Sequence, residues 1–161
     1  MSKTHPAAVN AIDIEATVGT TYPDVFAKEV ATRRKRALGD AFGLSHYGVN
    51  LVELSPGNWS AQRHWHTHED EFVFVLSGTL ILVTDEGRQT LTAGMVAGFP
   101  AGESNGHHLV NESDAVASYL EIGDRAAADE VFYPDIDLQL TSDGKDGRAF
   151  AHRDGRPYDK S

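Results

Sequence analysis

The sequence contains no cysteine among its 161 residues. This absence excludes a disulfide framework, a zinc site built from thiolates and a cysteine nucleophile. Histidines and carboxylates remain as the side chains that can bind a metal ion. A chain of this length forms about one domain and buries roughly two thirds of its unfolded surface, so it needs no covalent cross-link to fold.

Positive charge is also scarce, with 14 basic against 24 acidic residues and a formal net charge of −10. A surface this acidic repels a phosphate backbone, so we expect no nucleic-acid partner.

The longest apolar run spans Phe72 to Leu76, far short of the roughly 20 residues of a membrane helix. A secretory signal would need an apolar core within the first twenty residues, but this stretch contains Asn10, Asp13 and Glu15. We therefore expect a cytoplasmic protein with no membrane partner.

Turns that contain glycine separate short runs rich in Val, Ile, Leu, Thr and aromatic residues, at intervals of about eight to twelve residues. This spacing predicts an all-β barrel or jelly roll, with an N-terminal arm (1–40), a barrel (41–124) and a C-terminal tail (125–161) that packs on it. One short helix is predicted near Asp24. The predicted strands are Arg34–Leu38, Ser45–Leu54, Ser60–His66, Glu71–Leu76, Thr79–Thr84, Gln89–Leu91, Met95–Phe99, His107–Val110 and Ala117–Ile122.

Five of the eight histidines lie in two short segments, one of which is followed at once by acidic residues. In an extended strand His64 and His66 project to the same face, and an antiparallel neighbour can bring Glu71 level with them. Burial of these groups without partners would cost several kcal/mol, an objection that a divalent cation removes. With His107 as fourth ligand, the pattern predicts a site of three histidines and one carboxylate. The alternative is a surface turn with solvated histidines.

The same residues resemble the two conserved motifs of the cupin superfamily. The first motif is matched by Gly57, His64, His66, Glu71 and Gly78. The second is matched by Gly94, Pro100, Ala101, Gly102, His107 and Asn111. Four residues rather than two separate Gly102 from the histidine, which leaves His107 and His108 open as the ligand, and the spacing to Asn111 favours His107. The resemblance implies a double-stranded β-helix barrel that binds one divalent ion, Mn, Zn, Fe or Ni.

A longer resemblance, from about Tyr22 to Pro157, is to small single-domain bacterial cupins to which sugar-phosphate isomerase activity is assigned by inference. The segments that carry it are Arg33–Arg36 with Leu38–Asp40, Arg63–His66, Glu69–Val73, Gly98–Gly102 and Gly106–Asn111. It implies a metal-dependent aldose–ketose isomerase that acts on a small, anionic metabolite. An Fe(II)-dependent dioxygenase would use the same ligands, and a non-catalytic module that binds or senses a small ligand is a further alternative.

The basic run Arg33–Arg36 holds four of the 14 basic residues and is the one concentrated positive patch of the sequence. In β geometry Arg34 and Arg36 share a face, so this pair is predicted to bind an anionic substrate at the barrel mouth. The alternative is a solvated edge strand whose charges prevent aggregation. Gln62 shares the face of the histidine ligands and is a further candidate for substrate binding, although it could equally just line the barrel.

Glu121 is the candidate catalytic residue, because it would be available as an acid or base if its strand face points into the barrel. Tyr119 shares that face. The opposite face carries Leu120 and Ile122, and apolar packing could equally claim the interior. The sequence leaves the two orientations open.

The run from Phe72 to Leu76 is apolar on both strand faces. One face of a barrel strand points inward, and an apolar outer face is shielded from water only if another surface covers it. We therefore expect a homodimer. The alternative cover is the C-terminal tail of the same chain.

Overall fold

The computed structural model describes residues 5–142 and 147–158. Residues 1–4 of the predicted arm, and 143–146 and 159–161 of the predicted tail, lie outside the described residues. Strands account for 44% of the structure and helices for 9%, which confirms the all-β prediction. The described strands are β1 (Thr17–Val18), β2 (Arg34–Ala37), β3 (Tyr47–Leu54), β4 (Trp65–His66), β5 (Glu71–Ser77), β6 (Thr79–Thr84), β7 (Gly87–Thr92), β8 (Val96–Phe99), β9 (His108–Val110), β10 (Ala117–Asp124), β11 (Val131–Tyr133), β12 (Leu138–Ser142) and β13 (Arg148–Ala151).

The strands form three antiparallel sheets. The largest has the order β1-β2-β3-β10-β5-β8, and a second has the order β7-β6-β9. The barrel core lies between them, and burial of each Val or Leu side chain there contributes roughly 1.5–3 kcal/mol. The buried core residues are Val52, Leu54, Val73, Val75, Leu80, Leu82, Leu91, Leu109, Ala117 and Tyr119.

Strand β5 shows why the faces of the main sheet differ. Val73 and Val75 are buried in the core, whereas Phe72, Phe74 and Leu76 are 36–42% exposed on the other face. This is the alternation that a strand with one buried face produces. The described part of the tail therefore leaves the outer face of β5 uncovered.

The neighbouring strand β10 settles which of its faces points inward. Tyr119 pairs with Val75, and Glu121 pairs with Val73. Because residues directly opposite each other in an antiparallel pair share a face, Tyr119 and Glu121 point into the barrel. Leu120 therefore lies on the outer face of the sheet.

The predicted strand Ser60–His66 is mostly irregular, and only Trp65–His66 forms a strand, β4. The backbone before β4 forms separate hydrogen bonds with the chain around β9. Ser60 N–H donates to the Leu109 carbonyl, and His64 forms an isolated bridge with His107. These separated bonds replace a continuous ladder. They nevertheless hold the two histidine segments against each other.

Three further elements differ from the sequence prediction. The expected helix near Asp24 is a pair of 3₁₀ turns, Asp24–Phe26 and Lys28–Val30, since neither turn has the length needed for an α-helix. Strand β2 ends at Ala37, and Leu38–Ala41 forms the short helix α1. A third 3₁₀ helix lies at 11–13 in the arm. No helix in the described ranges is long and apolar enough to cross a membrane.

The tail packs on the barrel through a third sheet, of order β13-β12-β11-β4. Strand β11 pairs with β4, so that Val131 lies opposite His66. A second apolar cluster joins this sheet to aromatic residues of the arm, while β1 and β2 of the arm extend the main sheet. The cluster contains Val131, Tyr133 and Leu138 with Tyr22, Phe26, Ile136, Leu140, Phe150 and Tyr158. The boundaries predicted at 40 and 124 stay predictions.

Gly78 forms the tight turn between β5 and β6. Its φ of +77° lies in the left-handed region, which side chains other than glycine rarely adopt. A Cβ at this position would come within 2.8 Å of Ala117 on β10. Only glycine therefore fits where β5 turns beside β10.

Candidate metal centre

Three imidazole rings surround one carboxylate at the open end of the barrel. Oε2 of Glu71 lies 2.7 Å from Nε2 of His107, 3.5 Å from Nε2 of His66 and 3.6 Å from Nε2 of His64. The four side chains are only 7–19% exposed. The structure thus brings together the four residues that the sequence singles out as ligands.

Each of the four residues is held by a different piece of backbone. His66 lies on β4, and Glu71 is the first residue of β5. His64 and His107 are joined by two backbone hydrogen bonds, from each N–H to the other's carbonyl, at 3.1 and 2.8 Å. Because these elements belong to different sheets, the cluster forms only when the barrel closes.

The second ring nitrogen, Nδ1, fixes the tautomer of two of the rings. Nδ1 of His64 lies 2.8 Å from the backbone carbonyl of Gln62, and Nδ1 of His66 lies 2.7 Å from Oδ2 of Asp129. A carbonyl or an ionised carboxylate can only accept a hydrogen bond, so both Nδ1 atoms carry the proton. The Nε2 lone pairs of His64 and His66 therefore point at the Glu71 carboxylate.

That arrangement fits a divalent cation. Nε2 of His64 and Nε2 of His66 lie 3.6 and 3.5 Å from the carboxylate oxygen of Glu71, and a divalent cation among the three atoms would be bound by all of them. Three imidazole nitrogens and one carboxylate oxygen are also ligands that Zn, Fe, Ni and Mn accept. Binding of a metal by these residues stays a prediction.

The pKa values in the cluster reflect the same crowding. Burial acts to lower the pKa of His64, but the Glu71 carboxylate outweighs it and raises that pKa above its ordinary value. Burial acts to raise the pKa of Glu71, yet the hydrogen bond from His107 and the nearby His64 hold it well below the usual range. The pKa of His107 is lowered, chiefly by burial. Burial and the attraction between Glu71 and the imidazole rings thus shift each of these pKa values in opposite directions.

Adjacent histidines 107 and 108 have different surroundings. The His107 ring points to Glu71 and stacks on Phe99, with centroids 3.6 Å apart. His108 points the other way: its Nδ1 donates to the carbonyl of Ala61 at 3.0 Å, and its ring packs edge-on against Trp59. Of the two alternatives left open by the sequence, only His107 lies in the cluster.

Two cavities meet at the cluster, and His66 and Glu69 line both. The smaller, about 420 Å³, includes Phe99 and His107. The larger, about 1110 Å³, holds most of the charged groups and is called the Lys35 cavity below. Its lining includes Lys35, Asn50, Glu69, Glu71, Glu121, Arg125 and Arg148. A small polar molecule in the Lys35 cavity would lie beside the cluster.

Glu121 points into the Lys35 cavity, as the register of β10 requires. Its Oε1 accepts hydrogen bonds from Nζ of Lys35 at 2.8 Å and from Nδ2 of Asn50 at 3.1 Å. Both donors bond to the same oxygen. The carboxylate is therefore fixed in direction on the side where the four residues of the cluster converge.

The other predicted substrate residues point elsewhere. Arg34 and Arg36 both pair with Glu53 on the outer face of the main sheet, and neither lines the two cavities at the cluster. The Gln62 side chain donates to the carbonyl of Phe26 at 2.9 Å. Lys35 is the residue of the basic run that reaches the Lys35 cavity, because it lies opposite the inward-facing Val52.

Sequence reasoning missed two residues of the tail: Asp129, which contacts the cluster at His66, and Arg148, which contacts Asp129. Asp129 is completely buried behind His66, and Arg148 pairs with it at 2.8 Å. Burial acts to raise the pKa of Asp129, but hydrogen bonds from His66 and from the His68 backbone lower it overall. No motif marks either residue, since their proximity to His66 depends on the pairing of β11 with β4.

Comparison with known proteins gives one family. The profile of the cupin domain matches residues 50–123. A structure described as a sugar phosphate isomerase of the cupin superfamily, from Silicibacter pomeroyi, is 41% identical, with a TM-score of 0.89 over 94% of this chain and 96% of that one. A candidate sugar phosphate isomerase from Acidithiobacillus ferrooxidans is 30% identical, with a TM-score of 0.71 over 81% and 83%. No curated protein sequence matches the chain.

A more distant structure shares the fold alone. A polyketide cyclase from Streptomyces resistomycificus is 23% identical and has a TM-score of 0.61 over 74% of this chain and 79% of that one. The matched profile contains all four residues of the cluster, and the similarity to the Silicibacter protein extends over nearly the whole of both chains. The chain therefore belongs to the cupin superfamily.

Proposed function

We propose that the protein is a metal-dependent aldose–ketose isomerase whose substrate is a small phosphorylated sugar. The observation that carries the proposal is the position of Glu121, a fixed carboxylate in the same cavity as Glu71 and His66. Two relatives that are 41% and 30% identical are described as sugar phosphate isomerases, one of them as a candidate. The cavity and the relatives together favour this reaction class.

The metal ligands in this proposal are His64, His66, Glu71 and His107. When bound there, a divalent ion supplies Lewis acidity that polarises the carbonyl group and the neighbouring hydroxyl of the substrate. The protein's part is to hold three ring nitrogens and one carboxylate in a largely buried site before substrate arrives. Such preorganisation lowers the cost of ordering the site during the reaction.

Glu121 is the proposed base. In an aldose–ketose isomerisation a base removes the proton from the carbon that carries the hydroxyl group and returns it to the neighbouring carbonyl carbon, while a second proton moves from the hydroxyl oxygen to the carbonyl oxygen. Lys35 and Asn50 hold Oε1 of Glu121, so Oε2 is the atom available for the transfer. One carboxylate can thus serve both carbon atoms.

Lys35 and Arg148 are the proposed contacts for the anionic group of the substrate. Both line the Lys35 cavity, and both are paired with carboxylates, Lys35 with Glu121 and Arg148 with Asp129. An arriving phosphate would share these cations with the acids. This arrangement replaces the Arg34 and Arg36 clamp that the sequence predicts.

The test is an isomerase assay with metal-loaded protein on phosphorylated and unphosphorylated aldoses in deuterium oxide. We expect ketose formation, with deuterium entering at the carbon where Glu121 transfers the proton, and loss of both signals after metal removal. Oxygen consumption without isomerisation would replace the proposal by a dioxygenase. Tight binding with neither reaction would indicate a sensing module.

The homodimer stays a prediction. Phe72, Phe74, Leu76 and Val96 leave an exposed apolar face on β5 and β8, and the described tail packs against β4 instead. The cytoplasmic location likewise rests on the sequence alone.

A further inference from the structure

A single carboxylate from the tail lies directly behind one metal-ligand candidate. The side chain of Asp129 is 0% exposed, and its Oδ2 lies 2.7 Å from Nδ1 of His66. The residue precedes β11 and lies outside the 50–123 segment that matches the cupin domain. Its contact with the site therefore depends on the tail.

Asp129 is surrounded by hydrogen-bond donors. Oδ2 also accepts from Nη1 of Arg148 at 2.8 Å, and Oδ1 accepts from the backbone N–H of His68 at 2.9 Å and from Oγ1 of Thr67 at 3.5 Å. A buried carboxylate with this many donors is held in one orientation. Arg148 also lies near a second carboxylate, since its Nη2 is 3.8 Å from Oε1 of Glu69.

The three histidines of the cluster differ in what holds Nδ1. His64 bonds to a neutral backbone carbonyl. Nδ1 of His107 is buried and has no hydrogen-bond partner among the described residues, and its ring is held by stacking on Phe99. Within the described part of the chain, His66 is the one histidine of the three whose Nδ1 bonds to a carboxylate. A carboxylate behind a ligating histidine fixes its tautomer and makes its other nitrogen a stronger ligand.

We propose that Asp129 is a positioning residue that holds His66 for metal binding, with Arg148 fixing Asp129 in turn. The tail then completes the metal centre rather than merely packing against the barrel. This inference rests on the metal binding put forward under the proposed function. It adds that residues outside the matched cupin domain set the affinity for the ion.

The first test measures the affinity for Co²⁺ and Zn²⁺ by competition with a chelator. We expect Asp129→Ala to weaken binding by about 10–100-fold, and Asp129→Asn to weaken it less, because an amide oxygen still accepts one hydrogen bond. The matched control is Asp135→Asn. Asp135 pairs with Arg63 and so also links tail to barrel, but contacts none of the four ligands. Its affinity should equal that of the wild type.

The second test reads the His66 tautomer directly in metal-free protein, by long-range ¹H–¹⁵N correlation spectra of ¹⁵N-histidine. We expect Nδ1–H in the wild type and in Asp135→Asn, and a mixture of tautomers in Asp129→Ala. A thermal melt of each variant shows whether it is folded. If Asp129→Ala does not fold, Asp129→Asn takes its place in both tests.

The outcomes separate the two proposals. If the wild type binds metal and both Asp129 variants bind it equally well, Asp129 is only a structural anchor and the inference is wrong. The same conclusion follows if affinity and melting temperature fall to the same extent in Asp135→Asn. If the wild type binds no metal, the proposed function fails first, whatever the tautomer spectra show.

Discussion

The barrel and the tail contribute different layers of the same site. The barrel supplies the four side chains that converge on one point, whereas the tail supplies Asp129, which hydrogen-bonds to His66, and Arg148, which pairs with Asp129. The ligands are close in sequence or fall in recognisable motifs. The supporting residues are more than sixty positions from His66, and only strand pairing brings them near. Local spacing therefore determines which side chains converge, while long-range packing determines how firmly they are held.

The largest expected effect is on the barrel layer itself. His66→Ala should abolish stoichiometric metal binding, since it removes one ligand and leaves Asp129 without its partner. Metal content after purification, measured by elemental analysis, checks the prediction. The matched control is His68→Ala: this exposed neighbour contacts Thr67 and lies outside the cluster. Full metal content in His66→Ala, or loss in His68→Ala, would contradict the assignment.

The second prediction separates chemistry from metal binding. Glu121→Gln should lower kcat by roughly 10²- to 10⁴-fold, the usual contribution of a general base, while metal affinity stays unchanged. The control is Glu53→Gln on the outer face of the same sheet, where the carboxylate also pairs with the basic run. Equal losses in both variants would mean that Glu121 only stabilises the fold.

The third prediction uses the buried His108, which is outside the cluster. Burial lowers its pKa to about 4 from the ordinary value of 6.5. Between these pH values the unfolded chain binds the extra proton, so the free energy of unfolding should fall as pH decreases from 6.5 to 4, by roughly 3 kcal/mol in total. His108→Asn keeps a donor for Ala61 but does not titrate. In urea unfolding, the difference in free energy of unfolding between the wild type and His108→Asn should become smaller as pH falls from 6.5 to 4. A constant difference would contradict the prediction.

The fourth prediction concerns substrate charge. Lys35→Gln should raise KM for a phosphorylated sugar by about tenfold, since a charge about 4 Å away contributes between about 1 and 4 kcal/mol depending on solvent screening. KM for the unphosphorylated sugar should change less. Arg34→Gln, on the opposite face of β2, is the control and should leave both values unchanged. A stronger effect of Arg34→Gln would restore the arginine clamp predicted from the sequence.

The smallest effect on a single chain is expected at the outer face of β5. The wild type should have the mass of a dimer, twice the 17.5 kDa chain, in light scattering. Phe72→Ser with Phe74→Ser should give the monomer mass without unfolding, because both side chains are already partly exposed. A monomeric wild type at every concentration would contradict the dimer.

The sequence predicted the barrel and the identity of the clustered residues because both depend on local patterns. Alternation places His64 and His66 on one side, and motif spacing adds Glu71 and His107. The sequence does not determine which way Glu121 points, because both faces of β10 carry apolar residues that could pack inside the barrel. Only the register of β10 with β5 shows that Glu121 faces inward. Strand alternation does not reveal which face of β2 turns inward, so the sequence alone favours Arg34 and Arg36, whereas the register places Lys35 on the inward face.

The most direct test of the metal centre is anomalous X-ray diffraction from crystals of the metal-loaded protein. We predict one anomalous peak within bonding distance of His64, His66, Glu71 and His107, with the His66 ring still hydrogen-bonded to Asp129. A peak at any other group of residues, or no peak in protein exposed to Mn, Fe, Ni or Zn, would contradict the account.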